Sequence, residues 1–85
     1  MAENTILVVD DNSMNLKLMS HVLAGRGYEV VTALNAADAL AAVSSRDPRL
    51  ILLDIQLPDV DGLTLASQLK SSDATRNTPI IAVTA

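Results

Sequence analysis

The chain has no cysteine, no tryptophan and no phenylalanine, and Tyr28 is its one aromatic residue. Without thiols there is neither a disulfide framework nor a thiolate metal site. Without aromatic rings there is no platform on which the bases of a single strand could stack. Basic residues are scarce as well: six Lys and Arg against ten Asp and Glu leave a net charge of −4. That balance repels phosphate backbones and anionic bilayers, so neither nucleic acid nor membrane is expected as a partner. No apolar run approaches the ~20 residues of a membrane span, and the acidic start Met1-Ala2-Glu3-Asn4 does not resemble a signal sequence. A cytoplasmic location is expected. What is present suffices for one folded unit: 85 residues leave room for one domain, 1–85, and 49% hydrophobic residues supply a core.

The apolar residues fall into two patterns. Ile6-Leu7-Val8-Val9 and Leu50-Ile51-Leu52-Leu53 are short unbroken runs, as expected of strands buried on both faces of a parallel sheet, and Pro79 to Val83 is expected to be another strand. A further short strand is expected over Tyr28 to Ala33. Between the strands the spacing turns helical. Met14, Leu16, Leu18, Met19, Val22 and Leu23 define a first helix, with Asn12 or Ser13 as its cap and Gly27 as its stop. Those side chains spread over about 200° of the helix, twice the usual stripe, so this helix is expected to be buried on two sides. Asn35 caps an Ala-rich second helix through Ser44, with Asp38 in a capping-box-like position, and Asp47-Pro48 closes it. Asp61 caps a third helix carrying Leu65, Ala66 and Leu69, and Ser71 to Thr78 is expected to be a polar linker. Strands alternating with helices argue for an α/β fold, a doubly wound parallel sheet in the order strand, helix, strand, helix, strand, helix, strand.

Two strands end on acids: the first on Asp10-Asp11 and the third on Asp54. In open α/β sheets ligands bind beyond the carboxyl ends of the strands, and both crossovers are long enough to bring these acids into one cleft. Carboxylates that close repel unless a cation neutralises them. An all-oxygen donor set without His or Cys favours a hard ion, Mg²⁺, which keeps open coordination for a phosphoryl oxygen. A carboxylate beside such a metal can act as a nucleophile and form an acyl phosphate, and Thr84, after the fourth strand, could hydrogen-bond a phosphoryl oxygen. Each acid alone also reads as a helix cap. Asp59 and Asp61 read as loop and cap residues, His21 as a solvated side chain on the polar face of the first helix, and Met14 and Met19 as core filler.

Taken together, Ile6-Leu7-Val8-Val9-Asp10-Asp11-Asn12, Leu52-Leu53-Asp54-Ile55-Gln56-Leu57-Pro58, Asp61-Gly62 and Ala82-Val83-Thr84-Ala85 resemble the receiver domains of two-component response regulators. The resemblance implies a flavodoxin-like receiver fold with the 2-1-3-4-5 strand order. It makes Asp54 the phosphoacceptor from a sensor histidine kinase or histidine phosphotransfer protein. It makes Asp11 a direct Mg²⁺ ligand, Asp10 a mostly water-mediated one and Asp54 a further one, with the Gln56 backbone carbonyl completing the protein's share. Thr84 matches the switch hydroxyl, and Ala85 the small residue beside it that leaves access. Such a module is a signalling acceptor and is expected not to be an enzyme.

A receiver has five strands in about 120 residues, and this sequence ends after the fourth. The last helix-strand-helix segment is lacking, together with the lysine that contacts the phosphoryl group; Lys17 and Lys70, on helices one and three, are not its counterpart. The fourth strand is therefore expected to be an exposed apolar edge and the chain to self-associate through it. Two other functions are weighed. One is a non-catalytic, Mg²⁺-binding, self-assembling interaction module. The other is a haloacid-dehalogenase-type phosphotransferase, which calls for Asp-x-Asp after the first strand where this chain has Asp10-Asp11-Asn12.

Overall fold

Thr5 to Val9 form β1, and all five residues are buried, as a strand covered on both faces requires. The computed structural model describes residues 4–83. After β1 come α1 (Ser13–Gly25), β2 (Glu29–Ala33), α2 (Ala36–Arg46), β3 (Leu50–Asp54), α3 (Gly62–Ser71) and β4 (Ile80–Val83). The four strands make one parallel sheet in the order β2-β1-β3-β4, with β1 paired to β2 from Thr5↔Glu29 to Val9↔Ala33 and to β3 from Ile6↔Leu50 to Val9↔Leu53. β4 pairs with β3 from Ile51↔Ile80 to Asp54↔Val83. The doubly wound α/β expectation holds over this span.

Strand alternation sorts the side chains. Leu7, Val9, Ile51 and Leu53 point to one face and form a core with Ala33, Ala36 and Ala39 and with Leu65 and Leu69 of α3. Ile6 and Val8 point to the other face, where Leu16 of α1 is the buried partner and Met19, Leu23, Val30, Leu50 and Leu52 are partly covered. The expectation that α1 is buried on two sides is not met among the described residues: Met14, Leu18 and Val22 are 72%, 66% and 55% exposed. Strand spacing explains why. Four strands about 4.8 Å apart make a sheet roughly 15–20 Å wide, and helices pack about 8–10 Å apart, so one helix covers half a face and two cover it.

Local chemistry sets the element ends. Asn12 caps α1 by accepting from the N–H groups of Met14 and Asn15, and Asp61 caps α3 by accepting from Leu63. Gly27 takes a positive φ of 92°, which suits glycine in the turn after α1. The second helix runs two residues beyond the expected Ser44, because Asp47, left-handed at φ 47°, returns its N–H to the Val43 carbonyl. The expected linker after α3 is instead a run of turns. Thr75 is buried there with its hydroxyl on the Leu69 carbonyl, and Lys70 Nζ donates to the Thr78 carbonyl at 2.7 Å.

Candidate functional site

Because β1 and β3 are parallel neighbours in register, the residues that follow their last paired positions emerge side by side. Asp10, Asp11 and Asp54 each offer a carboxylate oxygen, and these oxygens lie within 4.8 Å of one another. Asp10 and Asp54 are 7% and 6% exposed, and Asp11 is exposed. The two buried acids are held in the same way. Asp10 accepts the Asn12 N–H at 2.9 Å, and Asp54 accepts the Gln56 N–H at 3.1 Å, each from the residue two positions on. Asp10 also accepts from the Asn15 side-chain amide at 3.3 Å, so the first turn of α1 helps to aim it. The ion pairs found among the described residues lie elsewhere, between Arg46 and Glu29 and between Arg76 and Asp73.

Three carboxylates converging in a partly buried site fit a hard divalent cation: the donors are all oxygen, one of them faces solvent, and bound water can complete the shell. Asp10, Asp11 and Asp54 are the residues that would hold it. Gln56 stands directly after this cluster, its N–H on Asp54. Thr84 and Ala85 lie outside the described residues. Lys70 is engaged at the α3–β4 connection, and Lys17 is exposed on α1.

The loop between β3 and α3 is held at three points. Its ends are tied by Gln56 to Asp54 and by the Gly62 N–H, which donates to the Ile55 carbonyl at 2.7 Å. Its middle is tied by Asp59, whose two oxygens accept from Ala36 at 2.9 Å and Ala37 at 3.1 Å, in the first turn of α2. These amides hold the Asp59 carboxyl below its ordinary pKa, the Ala36 N–H most of all. Gly62 is buried against the same strand end, where an added Cβ would sit 2.6 Å from the Ile55 Cα and 2.7 Å from its carbonyl oxygen. Three contributors escaped the sequence reading: Asn15 as a partner of Asp10, Asp59 as a tie to α2, and Gly62 as a point of backbone contact. Only Gly62 left a sequence signal, a glycine at the first position of a helix, where it has no intrinsic advantage.

The sequence profile described as "Response regulator receiver domain" matches residues 6–85, and the chain belongs to that family. It is 42% identical over 81 residues to the polar-differentiation response regulator DivK of Brucella anthropi, covering 95% of this chain and 66% of that protein. The chain thus spans a little under two thirds of the length of the curated relatives it matches. Among solved structures it is similar to the N-terminal domain of a response regulator receiver protein from Methanoculleus marisnigri, with a TM-score of 0.88 and 36% identity over 92% of this chain and 63% of that one. It is similar also to the chemotaxis response regulator CheY4 of Vibrio cholerae, with a TM-score of 0.90 and 29% identity over 94% and 67% of the two chains.

Family membership corrects one expectation. The reading of the chain as no enzyme does not stand, because receiver domains are phosphoryl-accepting, autophosphatase-like modules that take a chemical part in the signal they carry. Membership in a two-component signalling family is itself in line with the expectation, and the haloacid-dehalogenase alternative is a different family. No helix among the described residues is long and apolar enough to cross a membrane.

Proposed function

We propose that the chain is a cytoplasmic Mg²⁺-dependent phosphoryl acceptor of a two-component phosphorelay, taking the group on Asp54 from a sensor histidine kinase or a histidine phosphotransfer protein. The observation that carries this reading is the convergence of Asp10, Asp11 and Asp54 within 4.8 Å at the ends of β1 and β3. The roles are those that the receiver resemblance implies. Asp54, buried and oriented by the Gln56 amide, presents a carboxylate oxygen as the nucleophile toward phosphorus, and an acyl phosphate forms as the donor's P–N bond breaks. Asp11, Asp10 and Asp54 would hold the cation, with the Gln56 carbonyl beside them, and Thr84 would supply the hydroxyl that follows the phosphoryl group. Mg²⁺ bound there would offset the charge of the incoming group. The test is intact mass after incubation with a small acyl-phosphate donor. One phosphoryl adduct that requires both Mg²⁺ and Asp54, and is lost in Asp54→Asn, supports the reading; no adduct in a sample shown to be folded refutes it.

A second property, compatible with the first, is self-association through β4. It is supported by Ile81, 52% exposed on that edge strand, and by Leu18 and Val22, exposed on α1. Sedimentation velocity at micromolar concentration decides it: a monodisperse monomer would refute it.

A further inference from the structure

Helix α2 begins with three N–H groups that have no partner inside the helix. Asn35, the local cap, takes the N–H of Asp38 at 2.8 Å. The other two, Ala36 and Ala37, go to Asp59, which is 23 and 22 residues away in sequence and on a different loop. Asp59 Oδ1 also accepts the Val60 N–H at 3.0 Å, so the carboxylate is bound from its own loop as well as from the helix. On either side of it, Leu57 and Val60 pack against the core beneath α2 and α3. The segment 55–61 leaves the strand end that carries Asp54 and returns to it at Gly62, within reach of the Ile55 carbonyl. A loop pinned at both ends still has a free middle, and here the middle is pinned to a helix standing over the neighbouring half of the sheet.

We infer that Asp59 is a positioning residue for the acidic site, locking the β3–α3 loop to the first turn of α2 so that Gln56 is held in place beside Asp54. The inference rests on the acceptor reading for its functional meaning, since what the loop positions is the Gln56 end of the acid cluster. A merely structural role is the competing account: capping α2 stabilises the fold, and any loss of stability would loosen everything. Asn35 separates the two accounts, because it caps the same helix and has no bond to the loop.

The experiment compares Asp59→Ala, Asp59→Asn and Asn35→Ala in the whole chain, by amide hydrogen exchange and by Mg²⁺ titration. In Asp59→Ala the Gln56 and Gly62 amides are expected to lose protection about five- to tenfold beyond any change in global stability, the loosening that matches roughly one net hydrogen bond. Asn35→Ala is expected to lower the melting temperature comparably and leave those two amides protected. Asp59→Asn, which keeps one acceptor oxygen, is expected to fall between. Mg²⁺ affinity is expected to weaken about tenfold in Asp59→Ala, the usual scale for residues that orient metal ligands, and to stay unchanged in Asn35→Ala. Equal loosening in Asp59→Ala and Asn35→Ala overturns the inference, as does full protection in Asp59→Ala. Failure of the acceptor reading looks different: the wild-type chain then binds no Mg²⁺ and takes no phosphoryl group, while the exchange result still decides whether Asp59 locks the loop.

Discussion

The two faces of the sheet are made from alternate residues of the same strands, yet one is closed and the other is not. Beneath α2 and α3, nine residues from Leu7 to Leu69 are at most 3% exposed. Under α1, among the described residues, Ile6 and Val8 are as deeply buried and Leu16 is 6% exposed, while Leu50 and Leu52 are only partly covered. The strands do not differ in hydrophobicity between their odd and even positions. Burial is decided by how many helices lie on each face, and a residue's apolar character states only what it can lose by staying exposed. The acid cluster is tied to both regions: Asp10 to α1 through Asn15, and Asp54 to the closed face through the loop that Asp59 and Gly62 fasten.

The contrast between the faces can be broken most forcefully from the closed side. Leu65→Ala is expected to cost about 2–5 kcal/mol in urea unfolding, as for any leucine removed from a packed core. Leu18→Ala, on the open face, is expected to change stability by no more than about 0.5 kcal/mol. Equal costs would mean that α1 is as fully packed as α3. Next in size is Gly62→Ala: its methyl would press into the backbone at Ile55, which cannot yield as a side-chain tip can, and a loss of about 1–3 kcal/mol is expected by the same measurement. Asn35→Ala removes one cap from α2 and is expected to cost about 1 kcal/mol. Leu18→Glu combined with Ile81→Glu sharpens the comparison from the open side. It is expected to leave the melting temperature nearly unchanged and shift sedimentation toward monomer, and an unchanged profile would show that the open face does not mediate self-association.

The smallest effect is one of pH. The folded-state pKa of Asp59 is lowered, chiefly by the Ala36 amide. Its contribution to stability is therefore complete above the ordinary aspartate value and is lost as pH falls through the lowered folded value. Acid titration of wild type against Asp59→Asn, followed by circular dichroism, is expected to show the two stability curves converging as pH drops through that window.

The reading from sequence succeeded where one residue type has one plausible place. Unbroken runs such as Leu50 to Leu53 read as strands and do form them, although Leu50 and Leu52 are only partly covered on the face of α1, and acids at two strand ends imply convergence once the sheet is parallel. Asn35 and Asp61 announce their helices because their side chains bond only two or three residues away. What stayed hidden depends on separation. No local pattern joins Asp59 to Ala36, since their contact exists only after β1 has set β2 beside β3's neighbourhood. The open face of α1 was hidden for the opposite reason. The breadth of its apolar arc reports how much cover the helix would accept, and the cover present depends on which elements lie across the sheet. The 71–78 segment looked like a linker because its composition is polar, yet Thr75 turns inward and spends its hydroxyl on the end of α3.

The position of β1 between β2 and β3 carries a consequence for the order of events during synthesis. The first of these four strands to leave the ribosome is flanked on both sides in the finished sheet, once by Glu29 to Ala33 and once by Leu50 to Leu53. Asp10 and Asp11 are therefore made early but wait, unpaired with Asp54, until β3 has been translated and has docked along β1. Site assembly is set by that long-range closure, a slow kind of contact in folding. A nascent chain stalled before β3 emerges holds two of the three acids, and the capacity to gather all three carboxylates arises in a single step, when β3 docks.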